Sequence, residues 1–165
     1  MWAIIKLDRK KISFMIKDFQ EKLGNDFIIY SPKLLIKKHR KNKIVNSEVS
    51  LLGDYIFFYH KKLNKTLILN SLRFSRGLKH FLEGFLNSQK EIEDFIKKCK
   101  ELENKNGYIT QNIFEVFEDK KYKFLTGPFT NQVFKILEMQ KNKINILIGN
   151  LETRINKKQF LFNPV

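Results

Sequence analysis

Arg9-Lys10-Lys11 and Arg73-Phe74-Ser75-Arg76-Gly77 are the two groupings whose residue types could do chemistry. Guanidinium and ammonium groups set close together suit phosphate oxygens, and the interleaved rings of Phe74 and His80 suit stacking on unpaired bases. The same strings also read as a solvated basic face, and for Lys41 and Lys43 that plainer reading is preferred. No catalytic constellation accompanies them. The sequence has no Gly-rich phosphate loop, no nucleophile elbow and no metal-ligand spacing, and Asp54 lacks a nearby acidic partner. His39, His60 and His80 lie roughly twenty residues apart with no Cys or carboxylate pattern around them, which argues against a metal site. The expectation is a protein that is not an enzyme and carries no cofactor and no metal.

Composition points the same way. Among 165 residues, Lys+Arg number 32 and Asp+Glu 17, a formal charge of +15. A surplus of that size opposes compactness unless a polyanion is nearby, so nucleic acid or a nucleoprotein machine is the natural partner. Hydrophobic residues make up 42% and Phe alone numbers 16, enough for one ordinary domain or two small ones. Cys99, the single cysteine, permits no internal disulfide and fits a reducing cytosol. No apolar run reaches a membrane span, and no signal-peptide core follows Met1, so the expectation is a soluble, cytoplasmic monomer whose fold begins at once.

The elements that must position the basic strings are organised around residues 51–60. Gly53-Asp54 is a turn signal, and the aromatic and branched run after it reads as a central strand with apolar side chains on both faces. Upstream, residues 2–7 suit a first strand. Ile12, Met15, Ile16, Phe19 and Leu23 recur at helical spacing, with Lys17, Asp18, Gln20 and Glu21 on the opposite face and Gly24 as the stop. Residues 26–38 read as extended, with a bend at Pro32. Residues 39–43 read as a polar, basic, mobile tip, which gives a hairpin from 33 to 60. Residues 66–72 fit a short helix or a strand equally, and residues 78–82 fit a strand. Ser88 and Glu91 form a capping box ahead of the apolar stripe Ile92, Phe95, Ile96, Cys99 and Leu102. Residues 103–109 look like a linker. Short runs at 122–125, 133–139, 144–148 and 151–155, split by turn residues, read as a small antiparallel barrel. The first module therefore reads βαββ(α)βα and the second all-β, an α+β fold.

In this order the elements resemble the NusG/RfaH family of transcription elongation factors over nearly the whole chain. Four strings carry the resemblance. Trp2 stands on the first strand where the family has an aromatic. Leu52-Gly53-Asp54-Tyr55-Ile56-Phe57 is similar to the family's Phe-Pro-Gly/Asn-Tyr-apolar-apolar strand. Arg76-Gly77-Leu78-Lys79-His80-Phe81 is similar to the Arg-Gly-Val-Ser-His-Phe string of the RfaH branch. Lys123-Phe124-Leu125-Thr126-Gly127-Pro128-Phe129 resembles the opening of a KOW domain. Gly53 replaces the family's Pro, and Phe134 falls where KOW domains have a small residue. The second departure points away from housekeeping NusG, and the reading is a specialised paralog.

The resemblance implies an NGN-like α/β sandwich over 1–103, in which helices flank an antiparallel sheet and which binds RNA polymerase. A linker would follow over 104–118 and a KOW-like, SH3-like barrel over 119–165. It implies docking onto the clamp of the polymerase's largest subunit through Trp2, Ile4, Leu52, Asp54, Tyr55 and Phe57, although Ile4 and Phe57 could equally be core. It implies contact with the non-template DNA strand through Arg9, Lys10, Lys11, Arg73, Arg76 and His80, Arg76 foremost because it matches the family string. The barrel, with Gly127, Pro128 and Phe129 at its turn, would recruit a ribosomal protein or a termination factor. Pausing or termination would be reduced. In RfaH-type proteins this segment can also fold as a helical hairpin. Val133, Leu137, Ile144, Ile148 and Leu151 keep helical spacing, while Gly149 and the turn at 140–143 favour the barrel, so both stay open. A different class also fits the charge, an RNA- or ribosome-binding module that needs no polymerase.

Overall fold

The structure is a computed structural model, and it describes residues 1–40, 43–110 and 112–165, with side chains at 37–40 and 43–44 set aside. In chain order the elements are β1 (Trp2–Leu7), a 3₁₀ turn (Arg9–Lys11), α1 (Ile12–Leu23), β2 (Ile28–Tyr30), β3 (Lys33–Arg40), β4 (Lys43–Ser50), β5 (Tyr55–Tyr59), α2 (Thr66–Arg73), β6 (Leu78–Phe81), α3 (Gln89–Glu101), β7 (Lys121–Phe124), β8 (Val133–Met139), β9 (Lys143–Ile148), β10 (Leu151–Asn156) and β11 (Phe162–Pro164). The chain divides into two compact units, Met1–Lys33 with Val49–Glu101, and Leu34–Glu48 with Leu102–Val165.

The first unit is an antiparallel sheet of order β2-β5-β1-β6. Its register pairs Ala3 with Phe58, Ile4 with Phe57 and Lys6 with Tyr55. Alternation sends Ala3, Ile5, Leu7, Ile56 and Phe58 to one face, where they are buried. There α1 contributes Phe19, its ring 4.7 Å from that of Phe58. Trp2, Ile4, Lys6, Tyr55 and Phe57 share the other face, where Phe95 of α3 packs 5.8 Å from Phe57. The side-chain amide of Gln89 pins β1 at its start: it donates to the Trp2 carbonyl and accepts from the Trp2 N–H, both at 2.8 Å. Residues 66–72 resolve as helix, burying Leu72, and residues 51–54 form the expected turn ahead of the central strand β5.

Four expectations are corrected. The strand at 55–59 does not pair with the one beginning at 33. It lies between β1 and β2, while β3 and β4 form a separate two-stranded sheet. The strand β4 was missed because five of the eight residues of its sequence, KIVNSEVS, are polar, and the element order over residues 1–101 is accordingly longer than βαββ(α)βα. The basic tip read over 39–43 is shorter than expected, since β3 runs to Arg40 and β4 starts at Lys43. Lys41 itself lies outside the described residues. Asp18, expected on the polar face of α1, is buried.

The second unit holds a five-stranded antiparallel sheet of order β10-β9-β8-β7-β11. Its core is Tyr122, Phe124, Phe134, Ile136, Ile144, Ile146, Ile155 and Phe162. Burial follows the two-residue period of strands in β8, where Phe134 and Ile136 are buried while Val133 is exposed. Residues 102–118 carry no long element. They are held by Glu103 bridging to Ile109, by the Tyr108 hydroxyl donating to Glu48 (3.2 Å), and by Asn112, whose amide donates to the carbonyls of Lys157 (3.1 Å) and Phe160 (2.9 Å).

Candidate nucleic-acid interface

The two basic strings, more than sixty residues apart in sequence, meet in the first unit. The Asp8 N–H donates to the Gly77 carbonyl at 2.7 Å, which joins the end of β1 to the turn before β6. Gly77 has φ +85, and a Cβ there would lie 2.7 Å from the Lys11 Cβ and 2.9 Å from the Lys11 carbonyl oxygen. Only glycine allows so close an approach in that conformation. Asp8 caps the 3₁₀ turn by accepting from the Lys10 N–H at 3.0 Å. The result sets Arg9, Lys10 and Lys11, all exposed, beside the segment carrying Arg73 and Arg76, also exposed.

Within this surface the arginines differ. Arg73 makes no ion pair or hydrogen bond through its side chain among the described residues, and neither do Lys10 and Lys11. Arg76 is engaged by Asp18. Its Nε donates to Asp18 Oδ1 (3.0 Å) and Oδ2 (3.2 Å), its Nη2 to Oδ1 (2.5 Å), and its backbone N–H to Oδ2 (2.7 Å). Hydrogen bonds from the Arg76 side chain and then its backbone hold the Asp18 carboxyl at about 2, below its ordinary 3.8. The guanidinium also lies 5.2 Å from the Phe14 ring centroid. One helical turn on from Asp18, Lys22 donates to the Ser71 carbonyl (2.7 Å) and the Ser75 hydroxyl (3.1 Å). Asp18 and Lys22 are the residues that reading by sequence missed. Their four-residue spacing was visible, but only the fold supplies the partners.

Phe74, at the end of α2, is 86% exposed between the two arginines. Around the Gly53-Asp54 turn, Arg9 donates to the Gly53 carbonyl through Nε (2.8 Å) and through Nη2. It also pairs with Asp54 at 3.8 Å, and Lys79 approaches the same carboxylate at 3.9 Å. Lys6 lies over the Tyr55 ring at 5.3 Å, and His80 meets that ring edge-on at 6.4 Å. So Asp54, Tyr55 and His80 belong to one polar and aromatic neighbourhood at this end of the sheet.

The other residues read as partner-binding have mixed positions. Phe57 is buried at 2% exposure, so it is core. Trp2, Ile4 and Leu52 are half-buried and pack against that core. At the turn of the second unit, Gly127 has φ +88 and a Cβ would overlap the Phe160 ring, while Phe129 packs 5.7 Å from Phe124 and Pro128 is exposed. A groove of about 720 Å³ in this unit is lined by Thr110, Asn112, Phe114, Phe117, Lys157 and Lys158 among others. His60 is buried, which lowers its pKa, and its Nδ1 accepts from the Lys62 N–H at 3.3 Å. Among the described residues no group of His, Cys, Asp and Glu could hold a metal ion, and no helix is long and apolar enough to cross a membrane.

No protein-family profile matches the chain, and no curated sequence matches it. Among solved structures, NusG from Thermotoga maritima is similar over 94% of this chain and 91% of its own, with 14% identity and a TM-score of 0.37. The MjSpt4:Spt5 complex in conformation B is similar over 100% of this chain and 97% of that one, with 12% identity and a TM-score of 0.31. At scores this low the assignment of the fold, an α+β unit with helices flanking an antiparallel sheet and a small all-β unit, rests on the element order and registers given above.

Proposed function

We propose that this chain is a non-enzymatic transcription elongation factor of the NusG kind. Its first unit would bind RNA polymerase through the clamp of the largest subunit and hold the non-template DNA strand on its basic surface. The observation that carries this is the meeting of Arg9-Lys10-Lys11 with Arg73–Arg76 across Gly77, beside the Tyr55 and His80 rings. Two basic strings brought together by a glycine-dependent approach, with an exposed ring between the arginines, suit phosphates and an unpaired base. The neighbourhood of Trp2, Ile4, Leu52, Asp54 and Tyr55 would face the polymerase, with Phe57 supporting it from the core. The second unit, with its lysine-rimmed groove, would recruit a ribosomal protein or a termination factor. The Arg76–Phe81 string favours an RfaH-like specialised role that reduces pausing or termination.

The test is co-purification of the tagged full chain with core RNA polymerase, wild type against Tyr55→Ala and Arg73→Ala. Retention of wild type, loss with Tyr55→Ala and persistence with Arg73→Ala are the expected results. No retention of wild type, together with tight, salt-sensitive RNA binding, would replace this reading with that of an RNA-binding module.

A further inference from the structure

Arg76 stands in the basic cluster, but its charge is matched where it sits. Asp18 is buried on α1 and accepts from both the guanidinium and the backbone N–H of Arg76. A planar fork bound in this way is fixed in direction, and its field is largely cancelled by the carboxylate it meets. The guanidinium also lies over the Phe14 ring. The same segment is tied again by Lys22 to Ser71 and Ser75, and by Asp8 to Gly77. All these contacts run from α1, or the turn before it, to residues 71–77. The side chains they leave unengaged are those of Arg73, Phe74, Lys10 and Lys11.

We infer that Arg76 is a positioning residue, which through Asp18 fixes the turn that presents Arg73 and Phe74 beside Lys10 and Lys11 and leaves phosphate contact to those neighbours. The assignment rests on the nucleic-acid reading of this surface. It reverses the expectation drawn from the Arg76–Phe81 string, in which Arg76 is the foremost contact.

The two roles predict opposite results for one substitution. Asp18→Asn removes a negative charge and releases the guanidinium. If Arg76 touches phosphate, binding tightens; if Arg76 positions the turn, binding weakens although the net charge has risen. The measurement is fluorescence anisotropy of a single-stranded oligonucleotide with the full chain across a salt series, with folding of each variant checked by circular dichroism. Asp18→Asn, Arg76→Ala and Arg76→Lys should each weaken binding by roughly five- to tenfold, about one lost hydrogen bond, with the salt slope unchanged. Lysine keeps the charge but cannot reproduce the fork, so it should behave like alanine. Arg73→Ala should instead flatten the slope by about 0.7, the value for one phosphate contact on a single strand. A variant with altered secondary structure is set aside, and the Nε–H resonance of Arg76 in the wild-type protein then decides. That resonance should stay in place when oligonucleotide is added. Tighter binding by Asp18→Asn, full binding by Arg76→Lys, a flattened slope for Arg76→Ala or a moving Nε–H signal would each overturn the inference while leaving the nucleic-acid surface intact. Absence of binding by wild type would overturn both.

Discussion

Gly77 and Gly24 share a left-handed backbone but not a neighbourhood, and the difference is measurable. At Gly24 (φ +79, ψ −162) nothing lies within 4 Å of a Cβ, so Gly24→Ala should cost only the backbone term, about 1–3 kcal/mol in a region essentially confined to glycine. At Gly77 the new methyl would also meet the Lys11 backbone, and the loss should exceed that at Gly24 by roughly 1–3 kcal/mol. Urea unfolding of the two variants checks this, and equal losses would mean that the approach of the basic strings is looser than described. Asp18 supplies a second prediction at this scale. Its carboxyl is depressed from 3.8 to about 2 in the folded state, so unfolding takes up a proton as the medium is acidified. The stabilisation is complete above the ordinary value and is lost as pH falls from there towards about 2. The stability gap between wild type and Asp18→Asn should therefore be full from about pH 5 upward and close on the way down to pH 2. His60 acts in the same direction at higher pH. Burial lowers its pKa from 6.5, so below that value the unfolded chain gains a proton that the folded chain resists. Wild type should lose stability as pH falls below 6.5, and His60→Gln should lose less, as read from thermal unfolding at a series of pH values.

Among the elements, β8 decides between two periods that the sequence leaves in competition. Val133 and Leu151 continue a helical stripe, yet they are 43% and 58% exposed, while Phe134 is 1% exposed among the rings of Phe124, Phe162 and Tyr122. The two-residue period prevails because it places every large ring on one side. Phe134→Ala should then cost about 3–5 kcal/mol, and Val133→Ala well under 1 kcal/mol as an exposed change. Comparable losses at the two sites would speak for a helical core. What was legible beforehand follows the same logic. The strands at 2–7 and 55–59 and the helices at 12–23 and 89–101 announced themselves by apolar spacing and a turn or stop residue, and each is present. The strand β4 did not, because KIVNSEVS has no sustained alternation and owes its extended form to β3 beside it. The basic strings were visible as charge, but their meeting depends on Gly77, and Asp18 looked like one more surface acid. Partnerships across long separations are not written in local periodicity.

For the whole molecule, one charge surplus should act on stability and on binding with opposite signs. Lys+Arg exceed Asp+Glu by 32 − 17 = 15, and Asp18, Asp26, Asp54 and Asp119 are among the carboxylates that pair with cations. Apart from Asp18, these pairs are exposed, so each contributes little. Repulsion among the remaining cations should therefore outweigh attraction, and salt should relieve it, since the screening length falls from about 10 Å at 0.1 M to about 3 Å at 1 M. Thermal unfolding should shift upward with ionic strength by roughly 2–4 °C for each kcal/mol of relieved repulsion. Over the same range, affinity for a nucleic acid should fall steeply, because release of counterions from the polyanion drives that binding. Unfolding in a salt series, with anisotropy measured on the same samples, tests both signs together. Stability that falls with salt would mean that attractive pairs dominate the folded chain, and the surplus would then be no sign of a polyanionic partner. Stability that rises while affinity falls would tie the two effects to one source, a cationic surface relieved either by screening ions or by the nucleic acid itself.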